Sequence, residues 1–436
     1  MNRGCKVMMD LGGPKLRTGS MRPGPKVIRI RPYRDSFGWV EQPAKVWIAP
    51  TGVMPPDNDA DAIIPVSSTF VEKIRRGNIL LFTDLQGKNC QIEIIRKQGR
   101  GRWGLCSDSA YITTGTELHL HKVKESGKEK NYVSELLPSE QYISLHIGDT
   151  LVLHSEARAG EPAVYDLQGA VVKPAHISCS LPEIFLSVKV GDPVYLNDGK
   201  IEGFVARLQN NQMDITITHA SANGSKLRAD KGINFPKTKM DIRGLTDKDK
   251  ADLPFVVGNA DAVNLSFVNR AADVKDLQQE LEKLEASIGI VLKIETRDGF
   301  KNLPEILLQA MQRYPVGIMV ARGDLAIETG WENFATIQEE IMRLGESAHI
   351  PVIWATQVLE SLAKKGVPTR SEITDAAMSQ RAECVMLNKG PYIEKALKIL
   401  NEILVKMQSH QDKRQTILPR LKNSQGLGLL YADTGE

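Results

Sequence analysis

KIE, at residues 293–295, and GIMVARGDL, at residues 317–325, each complete a short apolar run of the sequence. The first run is Ile290–Glu295 and the second is Val316–Arg322. Because alternate residues of a strand point the same way, Lys293 and Glu295 are expected to share one face. Asp324 follows the second strand at the same height. Charged groups at the carboxyl ends of neighbouring strands are typical of a βα barrel, which places its chemistry there.

Similar apolar runs alternate with amphipathic stretches from about residue 245 to 411. The predicted strands are 262–267, 290–295, 316–322, 351–357 and 384–389. The predicted helices are about 246–257, 271–286, 300–313, 332–348, 371–381 and 391–411. Strands that are apolar on both faces and separated by helices indicate a parallel sheet covered by helices. An earlier run, Lys6–Asp10, has the same character and raises the number of barrel-type strands to six.

Residues from about 20 to 230 are different, with short alternating runs, many Gly and Pro residues and little helical periodicity. Three Gly-Asp or Gly-Asn pairs, beginning at Gly77, Gly148 and Gly191, each precede an alternating run. We interpret them as one hairpin geometry repeated in a β barrel, with common ancestry of the copies as the alternative.

The predicted organisation has four parts. They are a first barrel segment at 1–19, an inserted β-rich lid at 20–230 whose last part (200–230) returns to the barrel, a βα barrel at 231–411, and a loose tail at 412–436.

Glu295 and Asp324 form a predicted metal site. Carboxylates from adjacent strands are hard oxygen ligands suited to Mg²⁺, which keeps its other positions for water and substrate oxygens. Gly323 would allow backbone N–H groups to approach a carboxylate. The alternative for Lys293 and Glu295 is an internal ion pair, because charged side chains are seldom buried unless paired.

These motifs resemble those of pyruvate kinases in order and spacing. The matching segments of this chain are DLGGPKLRTG at 10–19, LNDGKI at 196–201, KGINFP at 231–236, KIE at 293–295, GIMVARGDL at 317–325, ATQVLES at 355–361, PTRSE at 368–372 and VML at 385–387. The resemblance covers about 1–19 and 190–405. It implies an α/β fold, a TIM-type (β/α)8 barrel that is incomplete here, with about six strands, and that carries a large inserted β-barrel domain.

The resemblance implies a Mg²⁺-dependent reaction of glycolysis in which phosphoenolpyruvate and ADP give pyruvate and ATP. Lys293 would be the catalytic lysine over the phosphoryl group and the enolate, where an ammonium stabilises developing negative charge. Glu295 and Asp324 would hold Mg²⁺. Thr356, counted among the catalytic residues, and the backbone at Gly323 would bind the substrate carboxylate, and Asp324 is counted among the substrate-binding residues as well. A threonine that only packs within a strand is the alternative for Thr356.

Three further residues are assigned by the resemblance to the nucleotide side of the site. Arg17, counted among the catalytic residues, and Lys231 would face the nucleotide phosphates, and Asp198 would close the lid. For all three, the alternative is a solvated surface group.

The segment beginning at Asp10 also bears on a monovalent cation. Many pyruvate kinases use K⁺, held partly by the Asp and Thr of a DTKGPE motif. Asp10 is retained here, but Leu11 replaces the Thr and offers no hydroxyl. Lys15 stands at the Glu position, where an ammonium would supply a +1 charge without an ion. The sequence therefore predicts that Lys15 replaces K⁺, with a solvent-facing Lys15 as the alternative.

The sequence departs from the family in three other respects. Two βα units expected before Asp10, which carry phosphate-binding and cation-binding residues, are not recognised. Only about 25 residues follow the last predicted helix, so the allosteric phosphosugar site that many relatives carry in a C-terminal domain is expected to be absent. Asn388 replaces the serine implicated in delivering a proton to enolpyruvate.

Composition limits the possible partners. A net charge of +3 over 436 residues gives no case for nucleic acid. No apolar run approaches the ~20 residues of a membrane span, and the first residues have no signal-peptide core. The five cysteines have no metal-ligand spacing, and without an export signal reduced thiols and a cytoplasmic location are expected. None of the eight histidines falls in the motifs, which argues against a Ser-His-Asp or histidine–metal mechanism. A homo-oligomer remains open.

Three functions are compatible with the sequence. The first is a pyruvate kinase. The second is a non-catalytic remnant that binds an oxoacid and Mg²⁺ or acts as an interaction protein, which the missing units favour. The third is another barrel enzyme acting on phosphoenolpyruvate or an oxoacid, such as a Mg²⁺-dependent aldolase, which should lack the inserted lid and the motifs containing Arg17 and Lys231.

Overall fold

The computed structural model describes residues 4–56, 59–122, 128–209, 211–238 and 244–408. The packing divides the chain into two compact units, one formed by Met1–Met21 with Tyr142–Glu436 and the other by Arg22–Gln141. The predicted insert at 20–230 thus contains the whole second unit together with most of a mixed sheet of the first. The predicted tail at 412–436 lies outside the described residues.

A six-stranded parallel sheet forms the centre of the first unit. Its strands, in spatial and chain order, are β1 Met8–Asp10, β2 Ala262–Leu265, β3 Gly289–Ile294, β4 Val316–Ala321, β5 Val352–Val358 and β6 Cys384–Leu387. Leu292 packs against the helices, whereas the neighbouring Val291 packs with Met319 and Ile353 on the inner face. The predicted α/β barrel-type fold with six such strands is confirmed.

Helices connect these strands and cover one face of the sheet. They are α1 Asp247–Asn259, α2 Ala271–Lys283, α3 Arg297–Lys301, α4 Leu303–Ala310, α5 Arg322–Thr329, α6 Trp331–Ser347, α7 Glu360–Lys365, α8 Arg370–Met378 and α9 Ile393–Met407, with a short 3₁₀ helix at Ser379–Arg381. The single helix predicted at 300–313 is instead two, because Pro304 favours a new helix start. None of the described helices has the length and apolar character needed to cross a bilayer.

The PTRSE segment has a structural role at the start of α8. Thr369 Oγ1 accepts the N–H of Glu372 at 3.3 Å, and Glu372 Oε2 accepts the N–H of Thr369 at 2.9 Å. This reciprocal capping box satisfies two N–H groups that a helix start otherwise leaves unpaired.

The first unit also contains a mixed sheet of six strands. In spatial order these are Ala175–Ser178, Thr150–His154, Gln212–His219, Ile201–Gln209, Pro193–Leu196 and Ile233–Asn234. Two short pairs accompany it, Ile143–Leu145 with Ser225–Leu227 and Val164–Tyr165 with Val171–Lys173, and a 3₁₀ helix lies at Pro182–Leu186. Its core is separate from that of the parallel sheet.

The second unit is built on a seven-stranded sheet with its own core. In spatial order its strands are Lys128–Tyr132, Glu117–His121, Ile79–Thr83, Asn89–Gln98, Gly101–Cys106, Ala44–Pro50 and Ala62–Val66. Val27–Ile30 pairs with Ala110–Thr113, Tyr33–Arg34 pairs with Val40–Gln42, and one helix spans Ser68–Lys73.

The three Gly-Asx turns share one hydrogen-bond pattern. The N–H of Gly77, Gly148 and Gly191 donates to a neighbouring strand at 2.7, 2.9 and 2.8 Å, and the carbonyl of the next residue accepts at 2.9, 2.9 and 3.0 Å. Each Asx side chain also accepts the N–H three residues before it. The repeated turn is confirmed. Each copy leads into a strand that pairs with a strand later in the chain, and the turn itself does not connect the two strands of a hairpin.

The outer strands β1 and β6 have no further bonded strand within the described residues. Met8 and Met386 align with inner-face positions, yet they are 46% and 40% exposed. Because unpaired edges and exposed apolar groups favour pairing between chains, we expect the 436-residue chain to self-associate.

Light scattering after size exclusion checks this prediction. Met386→Lys should reduce the associated fraction, while Val405→Lys, at an exposed position of α9, serves as the control. A monodisperse wild-type monomer with one cooperative melt would contradict the expectation.

Candidate active site

Polar side chains converge at the carboxyl ends of β1 to β5. Asp10 is the last residue of β1, Ser266 follows β2, Lys293 and Glu295 lie at the end of β3, Asp324 lies in the first turn of α5, and Thr356 is near the end of β5. Parallel strands bring such ends to one edge of a sheet, as the sequence predicted.

Lys293 lies at the centre of this group. Its Nζ is 3.0 Å from Asp10 Oδ2, 2.8 Å from Ser266 Oγ and 3.5 Å from Glu295 Oε1, and its side chain is 13% exposed. Burial lowers the pKa of Lys293, but the carboxylates of Glu295 and Asp10 outweigh it, so the pKa is raised overall. Lys293 is therefore a positively charged donor at neutral pH.

Glu295 is buried and held by the backbone. Its Oε2 accepts the N–H of Phe267 at 2.7 Å, and Phe267 has a left-handed backbone with φ of 55°. Burial raises the pKa of Glu295 and Asp324 adds to this rise, while Lys293 and Lys15 oppose it. The buried carboxylate would therefore gain from a further cation beside it.

Lys15 points into the site and not to solvent. Its Nζ lies 2.8 Å from Asp324 Oδ2 and 5.6 Å from the centre of the Phe267 ring. The two side chains are 21% and 14% exposed. The structure does not pair Lys15 with Asp10, the other residue expected near a monovalent cation, because Asp10 bonds to Lys293 and to Asn264 Nδ2 at 2.5 Å.

The donors present fit Mg²⁺. Glu295 and Asp324 provide carboxylate oxygens from adjacent strand ends, and Mg²⁺ is typically bound by one or two carboxylates together with substrate oxygens. No cluster of three or more His, Cys, Asp or Glu side chains suited to a metal occurs among the described residues.

Thr356 and Gly323 are in direct contact. Thr356 Oγ1 accepts the N–H of Gly323 at 3.0 Å, so this N–H would have to exchange partners to bind a substrate carboxylate, while the Thr356 hydroxyl proton can still be donated. Thr356 and Gln357 have φ of 66° and 58°, a costly conformation for such residues.

Arg322 supports this strained strand end. It donates to the carbonyl of Ala355 at 2.8 Å and to that of Thr356, and it pairs with Asp375. Its guanidinium also lies 4.7 Å from the ring centre of Trp354. Arg322 thereby fixes the backbone of Thr356 through its carbonyl group.

Arg17, Lys231 and Asp198 are grouped around Gly232. The backbone of Arg17 bridges to Gly232, and its guanidinium donates to the Asp230 carbonyl at 3.1 Å. A Cβ atom placed on Gly232 would lie 3.6 Å from Lys15 Cε and 3.9 Å from Asp198 Oδ1. Asp198 is exposed in a turn with φ of 58°. The predicted nucleotide-side residues are thus brought together on the side of the site where Lys15 lies.

Sequence reasoning missed several residues of the site. Ser266 is the penultimate residue of a predicted strand, so its position in the barrel could have indicated it. Arg322 lies within the quoted GIMVARGDL motif without an assigned role. Asn234 and Glu328 are bonded to each other at 3.0 Å across 94 residues, and no local pattern signals that contact.

Glu328 offers a test by pH. Burial raises the pKa of Glu328 to about 7, and Asp324 adds to this rise. The folded chain then keeps a proton that the unfolded chain releases near pH 4.5, so this group lowers stability as pH rises from about 4.5 to 7. The full cost is about 3 kcal/mol.

Urea unfolding of wild type and Glu328→Gln between pH 5 and 8 measures this cost. The stability advantage of Glu328→Gln should be small at pH 5 and largest at pH 8, with Glu305→Gln, at an exposed position of α4, as the control. A difference independent of pH would show that Glu328 does not titrate in this range.

The comparisons with known proteins agree with this geometry. A family model described as the pyruvate kinase barrel domain matches residues 162–395, more than half of the chain. A pyruvate kinase of Geobacillus stearothermophilus is 34% identical over 278 residues, which cover 62% of this chain and 46% of that relative. One of Hypocrea jecorina is 36% identical over 246 residues, or 53% of this chain and 44% of the relative.

Solved structures give the same result. A pyruvate kinase from Cryptosporidium parvum aligns with a TM-score of 0.54 at 28% identity, covering 63% of this chain and 54% of that one. The chain spans about half the length of the curated relatives it matches.

Proposed function

The chain belongs to the pyruvate kinase family, and we propose on that premise that its site transfers the phosphoryl group of phosphoenolpyruvate to ADP, giving pyruvate and ATP. The observation that carries the proposal is the position of Lys293, a buried ammonium at the end of β3 with Glu295 beside it and Asp324 in the helix turn that follows the next strand. Membership of this family argues against the aldolase alternative.

In this proposal the bond between phosphorus and the enol oxygen breaks, and a bond forms to a terminal oxygen of ADP. Lys293 stabilises the negative charge that develops on the enolate oxygen, because a fixed ammonium in a buried site needs little reorganisation. The enolate then takes up a proton at its methylene carbon. Asn388, whose amide donates to Glu360 Oε1 at 3.2 Å, has no acidic proton to give.

Glu295 and Asp324 would hold Mg²⁺, which supplies charge neutralisation on the phosphoryl and carboxylate oxygens when bound. Thr356 would donate its hydroxyl proton to the substrate carboxylate, since its oxygen already accepts the N–H of Gly323. These roles rest on the positions of the side chains at adjacent strand ends.

Arg17 and Lys231 would attract the nucleotide phosphates. Asp198, in the turn near Gly232, would close the lid. Lys15 would supply the positive charge that K⁺ provides in many relatives. A cytoplasmic location and a homo-oligomeric state complete the proposal; the first accords with substrates of glycolysis and the second with the open strands β1 and β6.

Pyruvate formation from phosphoenolpyruvate and ADP by the full chain tests the proposal. Turnover that requires Mg²⁺ and all three components is expected. Mg²⁺-dependent binding of phosphoenolpyruvate without turnover would instead support the non-catalytic alternative, which the open edges of the sheet favour.

A further inference from the structure

Helix α5 has two ends with different surroundings. Its first turn carries Gly323 and Asp324, and its last turn carries Glu328 and Thr329. Glu328 is 9% exposed, and its Oε1 accepts Nδ2 of Asn234 at 3.0 Å. Asn234 is itself 7% exposed, so this hydrogen bond forms out of water.

Asn234 belongs to a two-residue strand that begins two residues after Lys231, a member of the nucleotide-side group. Strand Ile233–Asn234 pairs with Pro193–Leu196, with Asn234 opposite Tyr195. The turn at Asn197 follows directly, and the N–H of Asn197 donates to the Gly232 carbonyl at 2.9 Å. A displacement of this strand would therefore move the turn that holds Asp198.

A second contact joins α5 to the same turn. A Cβ atom placed on Gly199 would lie 3.7 Å from the side chain of Ile327. From the other side, Arg297 donates to the carbonyls of Glu328 at 3.2 Å and Thr329 at 3.5 Å. The last turn of α5 is thus fixed to both the mixed sheet and the barrel.

A carboxyl group here does not serve stability. Burial of a carboxylate is unfavourable, and its position in the last turn opposes the helix dipole. Burial correspondingly raises the pKa of Glu328, as described above. What this side chain contributes at the position is therefore the bond to Asn234 and not a charge.

We infer that Glu328 is a positioning residue whose bond to Asn234 couples the turn at Asn197–Gly199 to Asp324 through α5. Eight residues at 1.5 Å each make a short rigid rod of about 12 Å, so a shift at one end reaches the other. The inference rests on the proposed function, because the coupling would align the residues proposed to bind the nucleotide with the residues proposed to bind the metal.

Hydrogen exchange of the full chain tests the coupling without metal or substrate. Asn234→Ala and Glu328→Ala should each increase exchange throughout α5, including the amides of residues 325–327, by about three-fold or more. The double variant should add little to either single one. Glu328→Gln keeps the acceptor and should resemble wild type, as should Glu305→Ala on α4. Faster exchange confined to the last turn, or a fully additive double variant, would overturn the coupling.

Mn²⁺ binding, followed by electron paramagnetic resonance, gives the second readout. Both alanine variants should weaken Mn²⁺ binding about three-fold or more, with restoration in Glu328→Gln. Unchanged affinity in folded alanine variants would overturn the link to Asp324 and leave the proposed reaction intact. Absence of Mn²⁺ binding and turnover in wild type would count against the proposed function, while hydrogen exchange would still decide the coupling.

Discussion

Replacing Lys293 with methionine is expected to reduce the rate of pyruvate formation by a factor on the order of 10³. The affinity for the metal is expected to change little. The side chain keeps its approximate length but loses the ammonium that contacts Asp10 and Ser266. Because Glu295 and Asp324 remain, the carboxylate oxygens proposed to bind the metal are still present. Initial rates with phosphoenolpyruvate, ADP and Mg²⁺, together with Mn²⁺ titration, separate these two effects.

The carboxylates should give the complementary result. Glu295→Gln and Asp324→Asn each remove one anionic ligand, so each should abolish Mg²⁺-dependent binding of phosphoenolpyruvate. Lys275→Met, at an exposed position of α2, controls for the loss of a lysine. Substantial pyruvate formation by Lys293→Met would exclude Lys293 as the catalytic lysine.

Activity without K⁺ is the second large effect expected. Lys15 already places a positive charge 2.8 Å from Asp324, where an ammonium can supply the field of a monovalent cation. Rates in Mg²⁺ with tetramethylammonium as the monovalent cation should therefore change little when KCl is added. Lys15→Glu should reduce the K⁺-free rate about ten-fold or more and create a requirement for K⁺.

Two controls make this experiment decisive. Lys15→Met removes the charge without adding a carboxylate beside Asp324, and Lys275→Glu repeats the charge reversal far from the motifs. Stimulation of the wild type by KCl of an order of magnitude would rule out the replacement. An active Lys15→Glu variant in K⁺-free buffer would show that Lys15 is not the surrogate.

Local patterns of the sequence predicted the parallel sheet well. Each apolar run from 262 to 389 overlaps the strand found there, and no strand extends more than one residue beyond its run, because strands buried on both faces are continuously apolar. Helices α5 and α7 were missed since both are short and lie inside motifs interpreted as strand ends and loops. Pro304 could have signalled the break between α3 and α4.

Contacts between residues that are distant in the sequence could not be predicted from local patterns. The partner of Lys15 is 309 residues away, and nothing near Lys15 distinguishes Asp324 from Asp10 as its partner. The division at Arg22 and Gln141 was not predicted either, because the segments on both sides of Gln141 have the same β-rich composition. These features depend on how sheets assemble, which short windows of sequence do not record.

The position of β1 has a consequence for biosynthesis. Met8 pairs with Ala262, so β1 cannot pair with β2 until about 250 further residues have been synthesised. At 5–20 residues per second, that delay is roughly 10 to 50 s. The unit at Arg22–Gln141 is synthesised within that interval and has a core of its own, so it can form before the parallel sheet begins. Asp10 therefore meets Lys293 only late in folding, after one of the longest loop closures in the chain, and the candidate site is completed among the last parts of the molecule.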